Sequence, residues 1–266
     1  MRNNLEAKAR LLEAYDEQQR TDAETLSAVT VVSCGPLRLG TFTKGHGFVT
    51  YQNLYGAGED AIRRLAPEVL TCYHSDPEIT RVEWKTRGHD TAPGLHEALL
   101  ENGFIPDEPE SIMIGEATAL SVDVPLPDGV TLRRVTAESY VRAMSAMQNE
   151  VFGDPVSDDM ANALLRRLAT GDGMELWVAE AEGRIVTAGR LEPVPGTEFA
   201  GTWAGATSEE WRGRGIYRAL TAALAGLALR MGKKLIHSDS TEYSRPILER
   251  SGFVKVSTTT PYRWTH

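Results

Sequence analysis

The sequence has little of what several classes of protein need. Its 266 residues include two cysteines, Cys34 and Cys72, and neither stands in a Cys-x-x-Cys or Cys-x-x-His pair, which argues against a zinc site. No apolar run approaches ~18 residues. The charged first twenty residues also lack the apolar core of a signal peptide. We therefore expect a cytoplasmic protein with free thiols, no metal and no contact with a membrane.

Positive charge is also scarce. The chain has 28 Lys and Arg against 37 Asp and Glu, a formal net charge of -9. Nonspecific nucleic-acid binding depends on Lys and Arg that neutralise phosphates, so this balance argues against a nucleic-acid partner. An acidic protein mildly favours a cationic small substrate, although acidity that serves only solubility is the commoner case.

What is present falls into two sets of strand and helix patterns. They are separated by LSVDVPLPDGV, which has two prolines and no helical period. We predict a domain over residues 1–120, a linker over 121–129 and a second domain over 130–266. In each set a short amphipathic helix leads to a Gly-Phe pair, at Gly103 and at Gly252, and then to a strand. This repeated order favours a tandem duplication.

The stretch EEWRGRGIYRALTAAL, beginning at Glu209, lies between a predicted strand, GTWAGAT, and a long apolar helix. The first amide groups of a helix lack intrahelical partners, and the helix dipole adds partial positive charge there. Gly213 and Gly215 let the backbone approach a ligand closely, and Arg212 and Arg214 add cationic charge. The pattern predicts a phosphate-binding turn.

Other phosphate motifs do not fit. The sequence has no G-x-x-x-x-G-K followed by Ser or Thr, and a G-x-G-x-x-G fingerprint at Gly213 would need a small residue in place of Arg218. The stretch GAGEDA, beginning at Gly56, has this spacing formally. Because Glu59 and Asp60 would place negative charge against a pyrophosphate, we interpret it as an ordinary turn.

WRGRGIYRAL and SRPILERSGF, each following a predicted strand, resemble the acetyl-CoA-binding core of the GNAT superfamily of N-acetyltransferases. The family pattern is Arg or Gln, two residues, Gly, one residue, then Gly or Ala. Arg212 and Gly215 match it, whereas the bulky Tyr217 departs from it. The resemblance implies an α/β (α+β) protein of two GNAT-like domains, each a mixed, mostly antiparallel sheet flanked by helices. The N-terminal domain would be a degenerate copy without the arginine-glycine loop.

The resemblance also implies roles for individual residues. Amides of the strand before the loop would hold the pantetheine arm and polarise the thioester carbonyl. Thr241 and Ser244 stand where family members contact the coenzyme, although the usual Asn is missing. The implied coenzyme-binding residues are Gly205, Ala206, Thr207, Arg212, Gly213, Arg214, Gly215, Ile216, Tyr217, Thr241 and Ser244.

In the implied reaction a neutral amine attacks the thioester, so a base must take up a proton. Candidate bases at the ends of predicted strands are Glu192, His237, Asp239 and Glu242. Leu248 stands where many family members have a tyrosine acid, which leaves Tyr243 and Tyr217 as substitutes. We predict Glu242 and Tyr243 as the catalytic residues. The alternative for this segment is capping of the following helix.

The resemblance therefore implies an enzyme that transfers an acetyl group from acetyl-CoA to the amine of a small molecule. Two alternatives stay open. Leu248 favours a non-catalytic acyl-CoA-binding or regulatory module, and an arginine that can hold an extra carboxylate allows another donor, such as succinyl-CoA. The N-terminal half would close one side of the acceptor site or form the contact of a homodimer.

Overall fold

The computed structural model describes residues 2–54, 56–155 and 157–266. Their contacts group into two compact units. The first comprises Met1–Met113, Asp239–Arg245 and Lys255–His266, and the second comprises Ile114–Ser238 and Pro246–Val254. The division at 121–129 follows the chain and stays a prediction, whereas the grouping by contacts assigns two late segments to the first unit.

The longer helices and strands follow one another along the chain as the sequence patterns predict, whereas the short strand Ile105–Pro106 and the short helix Ala117–Leu120 were not predicted. The first are α1 (Arg2–Gln18), β1 (Thr30–Cys34), β2 (Leu37–Phe42), β3 (His46–Tyr51), α2 (Glu59–His74), β4 (Arg81–Arg87), α3 (Leu95–Glu101), β5 (Ile105–Pro106), β6 (Glu110–Glu116) and α4 (Ala117–Leu120). They are followed by β7 (Thr131–Arg134), α5 (Glu138–Phe152), α6 (Asp159–Thr170), β8 (Glu175–Ala181), β9 (Arg184–Pro193), β10 (Phe199–Thr207), α7 (Ile216–Arg230), β11 (Leu235–Ser240), α8 (Arg245–Ser251) and β12 (Val254–Thr265).

In the first unit the strand order is β1-β2-β3-β4-β12. Neighbouring strands are antiparallel except β3 and β4, which are parallel. The apolar stripe of α2, including Ile62 and Val69, packs with Leu99 of α3 against Val49 and Trp84 of the sheet, and all five are fully buried. The helices therefore cover one face of a mixed sheet.

In the second unit the order is β11-β10-β9-β8-β7, and again one pair, β10 and β11, is parallel. Val141 and Met144 of α5 and Leu164 of α6 bury the sheet residues Leu176 and Ala206. Small residues dominate the buried side of α7, so this helix can lie close to the sheet. Both units thus confirm the predicted fold class.

Two further properties of the described part of the chain bear on function. No helix there is both long and apolar enough to span a membrane. No group of three or more His, Cys, Asp or Glu side chains in that part is arranged to hold a metal ion. Cys34 and Cys72 are free thiols, as predicted.

Candidate functional site

The predicted phosphate-binding turn lies between the end of β10 and the start of α7. Gly213 and Gly215 both have left-handed backbone, with φ of +74° and +81°. A Cβ built at either glycine would meet no described atom within 4 Å beyond its chain neighbours. The need for glycine here is therefore conformational, and the space around the turn is open. Gly215 is the N-cap of α7 and has no side chain that could cap the first amide groups of the helix.

The two arginines hold this turn in different ways. Arg212 donates from Nε to the carbonyl of Thr207, at 3.1 Å, and so ties the turn to the end of β10. The guanidinium of Arg214 stacks 4.5 Å above the ring centroid of Trp211, which is buried in an apolar cluster. Both arginines are exposed. The turn thus presents fixed cationic groups beside the dipole of α7, the combination that binds phosphate.

Strand β10 separates from its parallel neighbour before reaching this turn. Its ladder with β11 ends at Gly201 opposite His237, whereas β10 continues to Thr207. On the other side the register with β9 shifts between Trp203 and Ala206, and Ala204 has a φ of +52°. The carbonyl of Ala204 turns to accept a hydrogen bond from Gln148, at 2.6 Å. This bulge re-aims the backbone of residues 204–207, where the resemblance placed the thioester.

Tyr217 lies against this bulge. A Cβ added to Gly205 would lie 2.5 Å from the ring and hydroxyl of Tyr217, so the tyrosine packs directly on the glycine backbone. A small pocket beside the ring, lined also by Leu220 and Leu224, has room for about one water molecule. Burial raises the pKa of the Tyr217 hydroxyl, which therefore stays protonated at neutral pH.

Beside the bulge lies an aromatic group that the sequence reasoning missed. Glu192, Gly201 and His237 are aligned across three neighbouring strands. Because Gly201 has no side chain, the indole of Trp203 folds over it and meets the His237 ring edge to face, with centroids 5.4 Å apart. His237, a candidate base, is only 5% exposed and packs as part of this group. A glycine two residues before a tryptophan in a central strand was the available signal.

Glu192, another candidate base, is held by two cations. Arg190 and Arg167 each lie 2.6 Å from one of its carboxylate oxygens, and Arg167 also binds Asp172. Both carboxylate oxygens of Glu192 are occupied by cationic partners. We therefore interpret Glu192 as part of an ion-pair network.

The remaining predicted site residues, 241–244, belong to the first unit. The hydroxyl of Thr241 accepts from the backbone N–H of Ser244, at 3.3 Å, which is the geometry of a cap. Glu242 binds Arg245 at 2.7 Å, and this hydrogen bond lowers the pKa of its carboxyl. The side chain of Tyr243 is 71% exposed. The contacts match the capping alternative, and the catalytic roles of Glu242 and Tyr243 stay predictions.

Two other candidates are placed by the structure. Asp239 lies 2.8 Å from Lys85 within the first unit, as part of a buried ion network. Leu248, at the position implied for a tyrosine acid, is 2% exposed and belongs to the apolar interior. Of the two tyrosines in 114–238, Tyr140 stacks under Arg133, whereas Tyr217 lies at the bulge.

Part of the chain matches a known protein family. Residues 140–264 match the family model described as an acetyltransferase (GNAT) domain. A GCN5-related N-acetyltransferase from Kribbella flavida has 14% identity and a TM-score of 0.65, over 98% of this chain and 95% of that one. A functionally unknown conserved protein from Staphylococcus epidermidis has 12% identity and a TM-score of 0.67, over 92% and 98%.

A tandem GNAT protein from the clavulanic acid biosynthesis pathway has 15% identity and a TM-score of 0.62, over 86% of this chain and 78% of that one. At such identities these likenesses show a shared fold alone. No curated protein matches the sequence.

Proposed function

We propose that the chain is a GNAT acyltransferase, since residues 140–264 match the model of a GNAT acetyltransferase domain, and that it transfers the acetyl group of acetyl-CoA to the amine of a small molecule. One observation carries the proposal. An open, left-handed glycine turn with two arginines stands at the N-terminus of α7, beside a strand that has separated from its neighbour.

The turn supports binding of the coenzyme diphosphate. Amides at the start of α7 would donate to the phosphate oxygens, and the helix dipole favours their negative charge. Arg212 uses Nε for the Thr207 carbonyl, which leaves its terminal nitrogens for a phosphate. The stacking of Arg214 on Trp211 reduces the freedom that this side chain would lose on binding.

The bulge of β10 supports the chemical step. Attack of a neutral amine on the thioester carbon places negative charge on the carbonyl oxygen, and amides of Gly205, Ala206 or Thr207 would stabilise it. Collapse of that intermediate forms the amide and releases the coenzyme thiolate. The amine loses one proton, and the thiolate takes up one, so the transfer needs no metal and no net redox change.

A second candidate function is an acyl-CoA-binding module without catalysis. It is favoured by the burial of Leu248, because an apolar interior side chain cannot supply the proton that the departing thiolate takes up. We also propose that the first unit is a degenerate copy of the second, since its corresponding turn carries acidic residues.

The test is a thiol-release assay with acetyl-CoA and a panel of small amines, together with calorimetric titration of coenzyme A. We expect binding, and thiol release that depends on the amine. Binding without release across a broad panel, and across other acyl donors, would establish the module instead. Absence of binding would reject both. In the same assay Glu242→Gln and Tyr243→Phe test the predicted base and acid.

A further inference from the structure

Ala204 has a backbone conformation that alanine rarely adopts inside a strand. Its φ is +52°, in the left-handed region, where the Cβ of an L-residue lies too close to the following carbonyl oxygen. The other two described non-glycine residues with positive φ, Lys44 and Glu182, each stand beside a glycine in a hairpin turn. Ala204 instead lies in the middle of β10. A strained residue of this kind persists only where neighbouring groups hold it in place.

The side-chain amide of Gln148 holds the carbonyl group of this strained residue. Its Nε2 donates to the carbonyl oxygen of Ala204, at 2.6 Å. Gln148 belongs to α5 and is only 4% exposed, and a buried amide donor needs a partner within the protein. Val141 and Met144 of the same helix pack with Ala206. Helix α5 therefore packs on the bulge of β10 and fixes the place from which the amide donates.

The bulge decides which backbone amides of β10 face a ligand. The register of β10 with β9 shifts between Trp203 and Ala206. In a regular strand successive N–H groups point alternately to the two sides, and a bulge shifts this alternation for the residues that follow, here 205–207. On the other side the ladder with β11 has already ended at Gly201, and Gly205 is exposed. The left-handed residue at the bulge thus determines which of these amides can donate to a ligand.

We propose that Gln148 is a positioning residue for acyl transfer, an inference that rests on the proposed function. Its amide holds Ala204 in the left-handed conformation, and this conformation directs amides of residues 205–207 towards the donor thioester. Preorganised amides stabilise the negative charge that develops on the thioester oxygen, and a small displacement of such donors lowers the rate steeply. Gln148 acts on the reaction only through the backbone of β10.

The experiment compares Gln148→Met, which keeps the length of the side chain but cannot donate, with Asn149→Leu on the same helix. The Asn149 amide donates to the carbonyl of Ser157, at 3.2 Å, so this control removes a hydrogen bond of the same kind at another place. We expect Gln148→Met to lower kcat for acetyl-CoA-dependent thiol release about tenfold. Its affinity for 3′-phospho-ADP, the nucleotide end of the coenzyme without the pantetheine arm, should stay within about twofold, because that ligand does not reach the bulge. Asn149→Leu should change neither quantity by more than about twofold.

A second substitution separates positioning from a general loss of structure. Glycine adopts left-handed backbone without a Cβ penalty, so Ala204→Gly combined with Gln148→Met should recover at least about threefold of the lost kcat. Hydrogen exchange of the amides of residues 204–207, measured without ligand, should quicken about fivefold in Gln148→Met and slow again in the double variant. If Gln148→Met does not fold by circular dichroism, Gln148→Asn takes its place, since its amide is one methylene short of the carbonyl.

The possible failures of the two proposals are distinguishable. In an active protein, an unchanged kcat or unchanged exchange in Gln148→Met, or a double variant that recovers nothing, would overturn the role of Gln148. If the unaltered protein binds coenzyme A but releases no thiol with any amine, the proposed transfer fails. The exchange measurement needs no activity and still decides whether Gln148 holds the bulge.

Discussion

The turn before α7 and the turn before α2 share a glycine spacing but differ in backbone and charge. Each has Gly-x-Gly ending at the helix N-cap, at Gly213 and Gly215 in one and at Gly56 and Gly58 in the other. Gly215 is left-handed, whereas Gly58 has a φ of -72°, which any residue can adopt. The two turns therefore share a left-handed first glycine, Gly56 and Gly213, and differ in the backbone of the second glycine.

Charge separates the two turns further. The first turn of α2 carries Glu59 and Asp60, whereas that of α7 has no acidic residue and follows Arg212 and Arg214. Two carboxylates at a helix N-terminus satisfy the dipole themselves and repel a phosphate. Glycine spacing alone therefore does not predict an anion site, because the charged residues beside the glycines decide whether an anion is attracted or repelled.

The strand ends beside these turns differ as well. In the first unit the β3–β4 ladder ends at Val49 opposite Trp84, and beyond it Arg87 donates to Thr50 at 3.1 Å and pairs with Glu24. In the second unit the ladder of β10 with β11 ends at Gly201, and beyond it Gly205 is exposed. A buried ion pair therefore fills the space beyond the ladder in the first unit, whereas the backbone beyond the ladder in the second unit stays accessible.

The largest effect is expected from removal of Arg87, whose side chain is fully buried beside Glu24. Arg87→Ala leaves that carboxylate buried without its main partner, which costs about 3–5 kcal/mol of unfolding free energy. Urea denaturation followed by circular dichroism measures the loss. Coenzyme binding by the folded protein should stay within about twofold, because the network lies in the first unit. A variant as stable as the original would show that the buried Glu24 carboxylate does not depend on Arg87.

The pH dependence of stability checks the same network. Burial pushes the pKa of Glu24 upward, but Arg87 and Lys85 outweigh burial and hold it below its ordinary value of 4.5. A lowered pKa stabilises the fold above the ordinary value, and that stability is lost as pH falls through the lowered value. Acidification should therefore destabilise the original protein more than Arg87→Ala. Glu24→Gln should lose this part of the acid dependence.

A smaller effect, on binding, comes from one carboxylate placed at each turn. Gly215→Glu forces a side chain into left-handed backbone and puts negative charge at the start of α7, so coenzyme affinity should fall roughly 100-fold. Gly58→Glu adds the same group where φ is permitted and two acids already stand, and should change affinity less than about twofold. Calorimetric titration measures both, with thermal melts to confirm folding. Equal losses in the two variants would remove the distinction between the turns.

Local features of the fold could be predicted from the sequence. The glycine turn before an apolar helix and the strand and helix patterns follow from neighbouring residues, whereas the fold class was implied by the family resemblance. Contacts between distant residues could not. Arg87 pairs with Glu24, and β12 pairs with β4. In both cases the sequence pattern of one segment does not indicate the other segment as its partner.

The candidate site shows the same limit. Sequence spacing found Arg212, Gly213 and Gly215, because a helix terminus is built from consecutive residues. It marked Tyr217 as a departure from the family pattern but could not place its ring on Gly205, since that contact depends on how α7 packs on β10. The acidic residues after Gly58 argued against an anion site at the first turn. Asn53 nevertheless stands three residues before Gly56, just as Arg212 stands three residues before Gly215.

The smallest effect is expected from the removal of single exposed arginines. Arg212→Ala removes a phosphate ligand of the proposed site, and coenzyme affinity should fall about tenfold. Arg64→Ala removes an exposed arginine of α2, and thus the same net charge, with an expected change under about twofold. The difference should shrink as salt is added, because Arg212 is exposed and its attraction is screened. If both variants lost affinity equally, net charge and not the geometry of the turn before α7 would govern binding. The contrast between the two turns would then have no functional meaning.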